Sequence, residues 1–406
     1  MLDMSTSEMA GGLFPQGSDP SQAGATAPAY RTGILPYQAL KAMLRAHEIV
    51  GSRDILAEQV QPASIDLRLG PVAYRVRASF LPGPNATVME KIQQLDGYEI
   101  DISAGAVLEK GCVYVVPLME RLRLPNAVTG FANPKSSTGR LDILTRLITD
   151  RSSAFDQIER GYDGPLYVEI APRTFSVVVR PGTRLNQARF RRGSPSLAST
   201  ELQRLHKEGQ LISVGETGEG KPPAADQTIN QTIKEKLVGV TIDLQGTGIG
   251  SLVGYRAKKH TDRIDIEKIA HFDPADFWEP IHAHRDGAII LNPDDFYILV
   301  TREAVGVPPD LAAEMVDYDT TVGEFRVHYA GFFDPGFGWD SAAGGSRAVL
   351  EVRSHEVPFM LEHAQTVGWL RYEPMAARPD RLYGAGIGSN YQNQGLQLAK
   401  QFRRPS

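Results

Sequence analysis

The stretch Gln61-Pro-Ala-Ser-Ile-Asp-Leu-Arg-Leu-Gly70 decides the fold, because its pattern returns far along the chain as Val240-Thr-Ile-Asp-Leu244. Three further pairs of segments follow in the same order: 73–77 with 254–258, 107–116 with 290–299, and 166–170 with 349–352. The offset between paired segments changes by only a few residues, as expected when two copies differ in their loops. Such a long repeat indicates duplicated domains rather than a stacked array of short units.

The duplication predicts two domains in the chain of 406 residues. We place copy one at 31–193 and copy two at 237–406. The segment 194–236 is rich in Ser, Gly, Pro, Glu and Lys, which favours a linker or a long surface loop. Residues 1–30 are rich in Ser, Ala, Gly and Pro and are predicted to be a disordered tail.

Within each copy the apolar runs are typical of short strands. Val177-Val-Val-Arg180 and Phe296-Tyr-Ile-Leu-Val300 are β-branched or aromatic and are bounded by turn residues. One helix is predicted at the start of copy one, with Pro36 at its first position. Many short strands around turns favour a mainly β fold, a barrel or a sandwich, over an α/β fold.

Composition excludes several classes of protein. No apolar run approaches the roughly 18 residues that cross a bilayer, and a net charge of −5 argues against bulk attraction to nucleic acid. Cys112 is the single cysteine, which excludes a disulfide scaffold and a Cys-x-x-Cys zinc site. Its apolar neighbours predict a buried thiol on a strand. Because no basic segment precedes an apolar one at the N-terminus, the cytoplasm is the expected location.

Two local patterns carry chemistry. The loop Asn133-Pro-Lys-Ser-Ser-Thr-Gly-Arg140 offers hydroxyl, backbone N–H and cationic groups that suit a phosphate, although a polar turn capping a helix explains it equally well. Each copy also carries an aspartate followed by a glutamate in an apolar strand: Asp150 with Glu169, and Asp334 with Glu351. A solvent-facing glutamate is the common case, but the repeated slot favours a buried carboxyl that moves a proton.

These patterns together resemble the dCTP deaminase family. The resemblance rests on the 62–70 strand, the 135–140 loop, the strand glutamates, the hairpin Phe333-Asp-Pro-Gly-Phe337 and the C-terminal Asn390-Tyr-Gln-Asn-Gln-Gly395. It implies two tandem dUTPase-like β-barrel (β-clip) domains with short helices, assembled as a homo-oligomer. It further implies hydrolysis of dCTP to dUTP and ammonia without zinc, with Mg²⁺ bound through the substrate triphosphate.

The resemblance assigns two sets of site residues. The catalytic set comprises the general base and the groups that orient it and the attacking water: Glu351, Glu169, Arg140 and Ser136. The substrate-binding set comprises the phosphate loop, the hairpin aspartates and a C-terminal flap: Lys135, Ser137, Thr138, Gly139, Asp334, Asp150, Tyr391 and Gln394. Either glutamate could be the base, and no metal ligand is assigned.

Neither copy carries the whole pattern. In copy two Glu324 stands where the loop arginine is expected, and a carboxylate there would repel a triphosphate. In copy one the residues 152–163 interrupt the hairpin. We therefore expect a composite site, in which the loop of copy one meets the hairpin, glutamate and flap of copy two.

Other functions remain open at this point. A dUTPase, or a deaminase that also cleaves dUTP, would keep the same carboxylates. A non-catalytic deoxynucleotide sensor would keep the fold and lose the chemistry. The aromatic residues of 325–337 could stack on a pyrimidine, but aromatics in such runs are more often core. A zinc cytidine deaminase is excluded, because that chemistry needs a Cys-x-x-Cys pair.

Overall fold

Copy one is built from short strands that end at Gly, Pro and polar turns. In the computed structural model, residues 32–213, 233–316, 325–328, 331–339, 345–354, 356–384 and 395–404 are described. The strands of copy one are β1 (Gly33–Ile34), β2 (Ile49–Gly51), β3 (Ile65–Leu67), β4 (Val72–Val76), β5 (Tyr98–Asp101), β6 (Ala106–Leu108), β7 (Val113–Arg123), β8 (Val128–Pro134), β9 (Ile143–Thr149), β10 (Gln157–Ile158), β11 (Asp163–Pro172), β12 (Val177–Val179) and β13 (Asn186–Arg192). Its helices are α1 (Tyr37–Arg45), α2 (Val88–Gln94) and the single turn α3 (Ser136–Gly139), with a 3-10 turn at Ala57–Gln59.

Copy two repeats this plan. Its helices are α4 (Ser199–Lys207) and the single turn α5 (Pro274–Phe277). Its strands are β14 (Ile212–Ser213), β15 (Ile233–Lys234), β16 (Leu237–Thr241), β17 (Leu252–Ala257), β18 (Ile264–Asp265), β19 (Trp278–His282), β20 (Ala288–Leu291), β21 (Phe296–Val305), β22 (Leu311–Val316), β23 (Phe325–His328), β24 (Phe332–Phe333), β25 (Ser346–Ser354), β26 (Phe359–Glu362) and β27 (Thr366–Pro374). The prediction of a mainly β protein with short helices is confirmed.

The large sheets of the two copies have the same strand order. In copy one the order is β5-β4-β7-β11-β9, with β2 also paired to β7. In copy two it is β19-β17-β21-β25-β23, with β14 also paired to β21. The strands that carry Glu169 and Glu351, β11 and β25, therefore occupy the same place in their sheets.

The copies share a hydrophobic core. Residues from Thr32 onward form one compact unit, and one buried cluster joins copy-one residues such as Phe175 to copy-two residues such as Phe296 and Phe402. Trp278 lies at its centre, 2% exposed, with its ring 5.4 Å from that of Phe175. The parallel pairing of β12 with β18 also crosses between the copies. No helix among the described residues is long and apolar enough to span a membrane.

Three local expectations are corrected. The segment predicted as a linker contains α4 and β14, because Leu202 and Leu205, three residues apart, form an apolar helix face that enters the core of copy two. Copy two therefore includes residues from 199 onward. Pro36 is the N-cap of α1 rather than its first residue. Cys112 is only partly buried and precedes β7, because a turn at 109–112 delays the strand.

Some predicted segments lie outside the described residues. They are the tail 1–30, residues 214–232 of the expected linker, the copy-two loop 319–324 and the flap residues Tyr391 and Gln394.

Leu202→Ala is expected to lower the free energy of unfolding by about 2–5 kcal/mol, because it leaves a cavity under α4. Leu202 is 0% exposed in the core of copy two. Urea denaturation measures the change. The control is Gln203→Ala at an exposed position of the same helix, which should change stability by less than about 0.5 kcal/mol. Equal free energies of unfolding for the two variants would mean that α4 does not contribute to the core of copy two.

Candidate active site

A cavity of about 350 Å³ lies between copy one and copy two. Copy one contributes the loop 135–141 without Gly139, and copy two contributes the hairpin residues 331–334, Glu351 and Lys400. This volume falls within the roughly 300–1,000 Å³ of small-molecule sites. The structure thus brings the predicted phosphate loop of one copy beside the predicted carboxylates of the other, within one chain.

The loop 135–141 is held by hydrogen bonds at its base. Lys135 precedes α3, and the N–H groups of Gly139 and Arg140 donate to the carbonyls of Lys135 and Ser136 at 3.0 and 3.1 Å. Thr138 donates its hydroxyl to the carbonyl of Leu185 at 2.9 Å. The hydroxyl of Thr138 therefore anchors the turn, although we predicted that it binds substrate. Ser136 and Ser137 line the cavity.

Glu351 lies on β25 and is 5% exposed. Its cross-strand neighbours are Ile298 on β21 and His328 on β23. Burial raises the pKa of Glu351 to about 8, while the charge of Arg140 acts to lower it and that of Asp142 acts to raise it. A carboxyl group with such a pKa can take up or release a proton near neutral pH, as a general base must.

A buried ion pair fixes the loop of copy one against the strand that carries Glu351. Asp142 Oδ2 accepts hydrogen bonds from Arg353 Nη2 at 2.5 Å and from its Nε at 3.2 Å. Arg353 follows Glu351 by two residues on β25, so the two side chains leave the strand on the same face. Arg140, two residues before Asp142, donates from Nη1 to the carbonyl of Gln397 at 2.9 Å. Arg140 is thus tied to the C-terminal segment as well.

Asp334 follows β24 directly and lines the same cavity. Its Oδ1 accepts a hydrogen bond from Arg189 Nη2 at 2.8 Å. Burial raises the pKa of Asp334, and the charge of Arg189 opposes that rise. Asp334 is therefore a buried carboxyl group of copy two that is paired with Arg189 of copy one.

A group of charged side chains on the cavity wall suits a phosphate. Lys135 Nζ lies 2.5 Å from Asp66 Oδ1, and Arg184 Nη1 lies 3.8 Å from Asp66 Oδ2. Burial, together with the charges of Lys135 and Arg184, lowers the pKa of Lys400. Lys135 and Arg184 therefore flank Asp66, while the charges of Asp66 and Glu267 act on Lys400. Oxyanions bind well to such clusters.

Glu169 and Asp150 do not belong to this cavity. Glu169 Oε1 accepts hydrogen bonds from Arg146 Nε and Nη2 at 3.0 and 2.5 Å, because Arg146 stands directly opposite it on β9. Asp150 Oδ1 accepts from the backbone N–H of Val88 at 2.8 Å, at the start of α2. Both carboxylates are therefore engaged in holding copy one together, which corrects their assignment to the site.

Two models of one protein family match this chain. Residues 31–194 match the family model of the 2'-deoxycytidine 5'-triphosphate deaminase N-terminal domain, and residues 199–402 match that of its C-terminal domain. The chain belongs to the dCTP deaminase family. The two models divide the dCTP deaminase sequence between the two copies, and the second begins at α4.

Individual relatives agree with this assignment. The crystal structure of 2'-deoxycytidine 5'-triphosphate deaminase from Agrobacterium tumefaciens shares 53% identity, with a TM-score of 0.79, and covers 86% of this chain and 100% of its own. The dUMP-forming dCTP deaminase of Halobacterium salinarum is 35% identical over 118 residues, which are 28% of this chain and 56% of that protein. That of Pseudarthrobacter chlorophenolicus is 30% identical over 152 residues, 36% of this chain and 76% of that protein. The match to the solved deaminase extends over both copies, which fits a tandem-duplicated form of the family.

Several cavity residues were not predicted from the sequence. Arg184 follows a Pro-Gly-Thr turn, and Lys400 stands in the C-terminal segment close to Arg403 and Arg404. Asp66 belongs to the strand that decided the fold, but its pattern indicated only a strand. Arg184 and Lys400 could be predicted as site residues only if it were known which loops meet at the cavity.

A Mg²⁺ ion carried by a bound triphosphate, which the resemblance implies, would be compatible with the donors present. Asp66 pairs with Lys135 and Asp334 pairs with Arg189. The described residues include no group of three or more His, Cys, Asp or Glu side chains placed to hold a metal ion. An ion carried by phosphate oxygens and water, as Mg²⁺ commonly is, would need no such group. When bound, it would neutralise phosphate charge, while Lys135 would contact the remaining oxygens.

Glu351→Gln is expected to stabilise the substrate-free protein at alkaline pH. The pKa of Glu351 is about 8 in the folded chain against an ordinary value of 4.5, so the folded state holds a proton that the unfolded state releases in this window. Wild-type stability therefore falls as pH rises from 4.5 to 8, by on the order of a few kcal/mol, and the glutamine variant lacks this fall. Thermal melts of both proteins across this range measure the growing difference.

The matched variant Glu169→Gln should behave in the opposite way. It leaves Arg146 without its buried carboxylate partner, and breaking a buried pair costs about 3–5 kcal/mol, less here because Arg146 is partly exposed. A higher melting temperature for Glu169→Gln would contradict the stabilising ion pair of Glu169 with Arg146. A lower one for Glu351→Gln at alkaline pH would contradict the raised pKa of Glu351.

Proposed function

We propose that this chain hydrolyses dCTP to dUTP and ammonia in the cavity between its copies, with Glu351 as the general base. The observation that carries the proposal is the burial of Glu351 in the wall of the cavity that also holds the loop 135–141. The family assignment supplies the substrate, since the matching family models and the solved relative carry the name of dCTP deaminase.

The proposed chemistry balances with one water molecule. The water oxygen adds to C4 of the cytosine ring, the bond from C4 to the exocyclic nitrogen breaks, and ammonia leaves. Ionised Glu351 takes one proton from the attacking water and delivers it to ring N3, where it stays in the product. The second water proton, from the hydroxyl group now on C4, passes to the exocyclic nitrogen as ammonia leaves and the C4 carbonyl forms. The charge of Arg140 lowers the pKa of Glu351 and so favours the ionised carboxylate, while Ser136 orients the water.

Substrate binding is proposed to use the charged wall and the hairpin. Lys135 and Ser137 contact the phosphates, with Arg184 and Lys400 adding charge. Asp334 contacts the sugar. Mg²⁺ arrives on the triphosphate. Tyr391 and Gln394 remain the predicted flap.

Ammonia release by the purified full chain tests the proposal. The assay compares dCTP with CTP and dCMP, with Mg²⁺ and with a chelator. We expect ammonia from dCTP, and a higher KM with the chelator because phosphate charge is then less neutralised. A folded chain that releases no ammonia from dCTP in the presence of Mg²⁺ would refute the proposed activity.

A second candidate function is deamination followed by cleavage of dUTP to dUMP and pyrophosphate. Two observations favour it. The relatives from Halobacterium salinarum and Pseudarthrobacter chlorophenolicus are named dUMP-forming, and the cavity wall holds buried carboxylates besides Glu351, among them Asp334. Measuring pyrophosphate beside ammonia separates the two. Pyrophosphate from dUTP without deamination would indicate a dUTPase, and nucleotide binding without either product would indicate a sensor.

The architecture and assembly are part of the same proposal. The shared strand order of the two large sheets supports two dUTPase-like β-barrel domains of the β-clip type. Assembly as a homo-oligomer and a cytoplasmic location stay predictions.

A further inference from the structure

We infer that Arg189 is a positioning residue of the deaminase site, which acts through Asp334 and makes the copy-two hairpin depend on a strand of copy one. This inference rests on the proposed function and extends it to a side chain that lies behind the cavity wall.

The hydrogen bonds of Arg189 join three strands. Arg189 lies on β13 of copy one with a side chain that is 0% exposed. Its Nη1 donates to the carbonyl of Ala313 on β22 at 3.1 Å. Its Nη2 donates to Asp334 Oδ1 at 2.8 Å and to the carbonyl of Phe333 at 3.4 Å. One guanidinium therefore fixes both the carboxylate and the backbone that leads to it.

The same guanidinium also packs on an aromatic wall of the cavity. Its Cζ lies 4.0 Å from the centre of the Phe332 ring, which in turn meets the Phe131 ring edge-on at 5.2 Å. Arg189 therefore contacts each of the three successive hairpin residues 332–334, all of which line the cavity. Lysine could keep the charge but not this combination of planar stacking and two-armed donation.

The charges around Asp334 explain why this contact matters. Besides Arg189, the charged groups that act on Asp334 are Asp66 and Lys135 across the cavity. Lys135 is itself paired with Asp66 at 2.5 Å. Without Arg189, the buried carboxylate would face a cation already shared with another carboxylate. Asp334 would then take up a proton more readily and lose its fixed orientation.

Arg191 offers a matched control on the same strand. It follows Arg189 by two residues and so leaves β13 on the same face. It also pairs with copy two, at 3.3 Å from Glu373, and its Cζ lies 5.3 Å from the centre of the Phe131 ring. Neither Arg191 nor Glu373 lines the cavity. Arg191→Met therefore removes an arginine between the copies without touching the hairpin.

The experiment measures kcat and KM for ammonia release from dCTP by the full chain as a function of pH. Removing one partner of a buried, hydrogen-bonded charge pair is strongly costly, so Arg189→Met should raise KM by about 30-fold or more, with a smaller change in kcat. The acidic limb of its kcat/KM profile, which Glu351 sets in the wild type, should become steeper because Asp334 then also takes up a proton. Arg189→Lys should lie in between, and Arg191→Met should stay within about threefold of wild type.

A double-mutant cycle tests the route through Asp334. If Arg189 acts through that carboxylate, Arg189→Met should cost much less in an Asp334→Asn background than in the wild type, because contacting residues are coupled. An equal cost in both backgrounds would overturn the inference. So would an Arg189→Met protein with the KM and pH profile of Arg191→Met.

The outcomes remain distinct if folding fails. Should Arg189→Met be unfolded by circular dichroism, Arg189→Lys carries the test, and a wild-type KM for it would overturn the inference. If the wild type releases ammonia from dCTP but the variants contradict the role of Arg189, only this inference fails and the proposed function is unaffected. If the wild type releases no ammonia, both the proposed function and this inference are refuted.

Discussion

Glu351→Gln is expected to lower the kcat for ammonia release from dCTP by about 10³-fold, with little change in KM, because general-base catalysis contributes roughly 10²–10⁴-fold. Glutamine keeps the shape of glutamate but cannot accept the proton of water through a carboxylate. Glu351 is buried in the cavity wall, and its pKa of about 8 predicts that wild-type kcat/KM rises with pH up to that region. Steady-state ammonia release from pH 6 to 9 measures both effects.

Glu169→Gln provides the direct comparison, since it is the same substitution at the duplicated position. We expect its kcat to stay within about threefold of wild type, because Glu169 is paired with Arg146 away from the cavity. The two variants should thus differ by orders of magnitude in activity. A Glu351→Gln chain that deaminates dCTP at the wild-type rate would refute the proposed base.

Arg140→Met is expected to lower kcat/KM by about 10²–10³-fold, as the loss of a preorganised charge at a reacting centre typically does. Arg140 is 2% exposed and its charge lowers the pKa of Glu351. Without it that pKa rises further above 8. Each unit of rise leaves tenfold less ionised base at neutral pH, so the acidic limb of the pH profile should move to higher pH. The measurement is kcat/KM at intervals across that limb.

Arg184→Met is the control for this prediction. Arg184 lines the same cavity but lies beside Asp66, so its loss should raise KM for dCTP and leave the pH limb in place. If Arg140→Met changed only KM, with an unmoved limb, Arg140 would be a phosphate ligand and no partner of Glu351.

The sequence alone predicted the repeated strands, because alternating apolar residues and bounding turns recur in both copies at similar spacing. It also predicted that the 135–140 loop and Glu351 belong to one site, and both line the same cavity; their roles in phosphate binding and proton transfer stay predictions. The helix α4 was missed, although Leu202 and Leu205 have helical spacing, since the surrounding Ser, Gly and Pro residues indicated a loop.

The choice between the two glutamates could not be made from the sequence. Glu169 and Glu351 sit in equivalent strands with similar apolar neighbours. What separates them is that Glu169 stands opposite Arg146 and pairs with it, whereas Glu351 lies in the cavity wall. Both features depend on how distant strands pair. Arg189 was missed for the same reason, because its partner lies 145 positions further along the chain.

The ion pair between Asp142 and Arg353 has a consequence for how the protein behaves at low concentration. It joins the loop of copy one to the strand of copy two inside a single polypeptide. Joining the two halves covalently turns their meeting into an intramolecular event, governed by an effective concentration rather than by the amount of protein present. Dilution therefore does not separate the loop 135–141 from Glu351. Every folded chain contains both sides of this cavity.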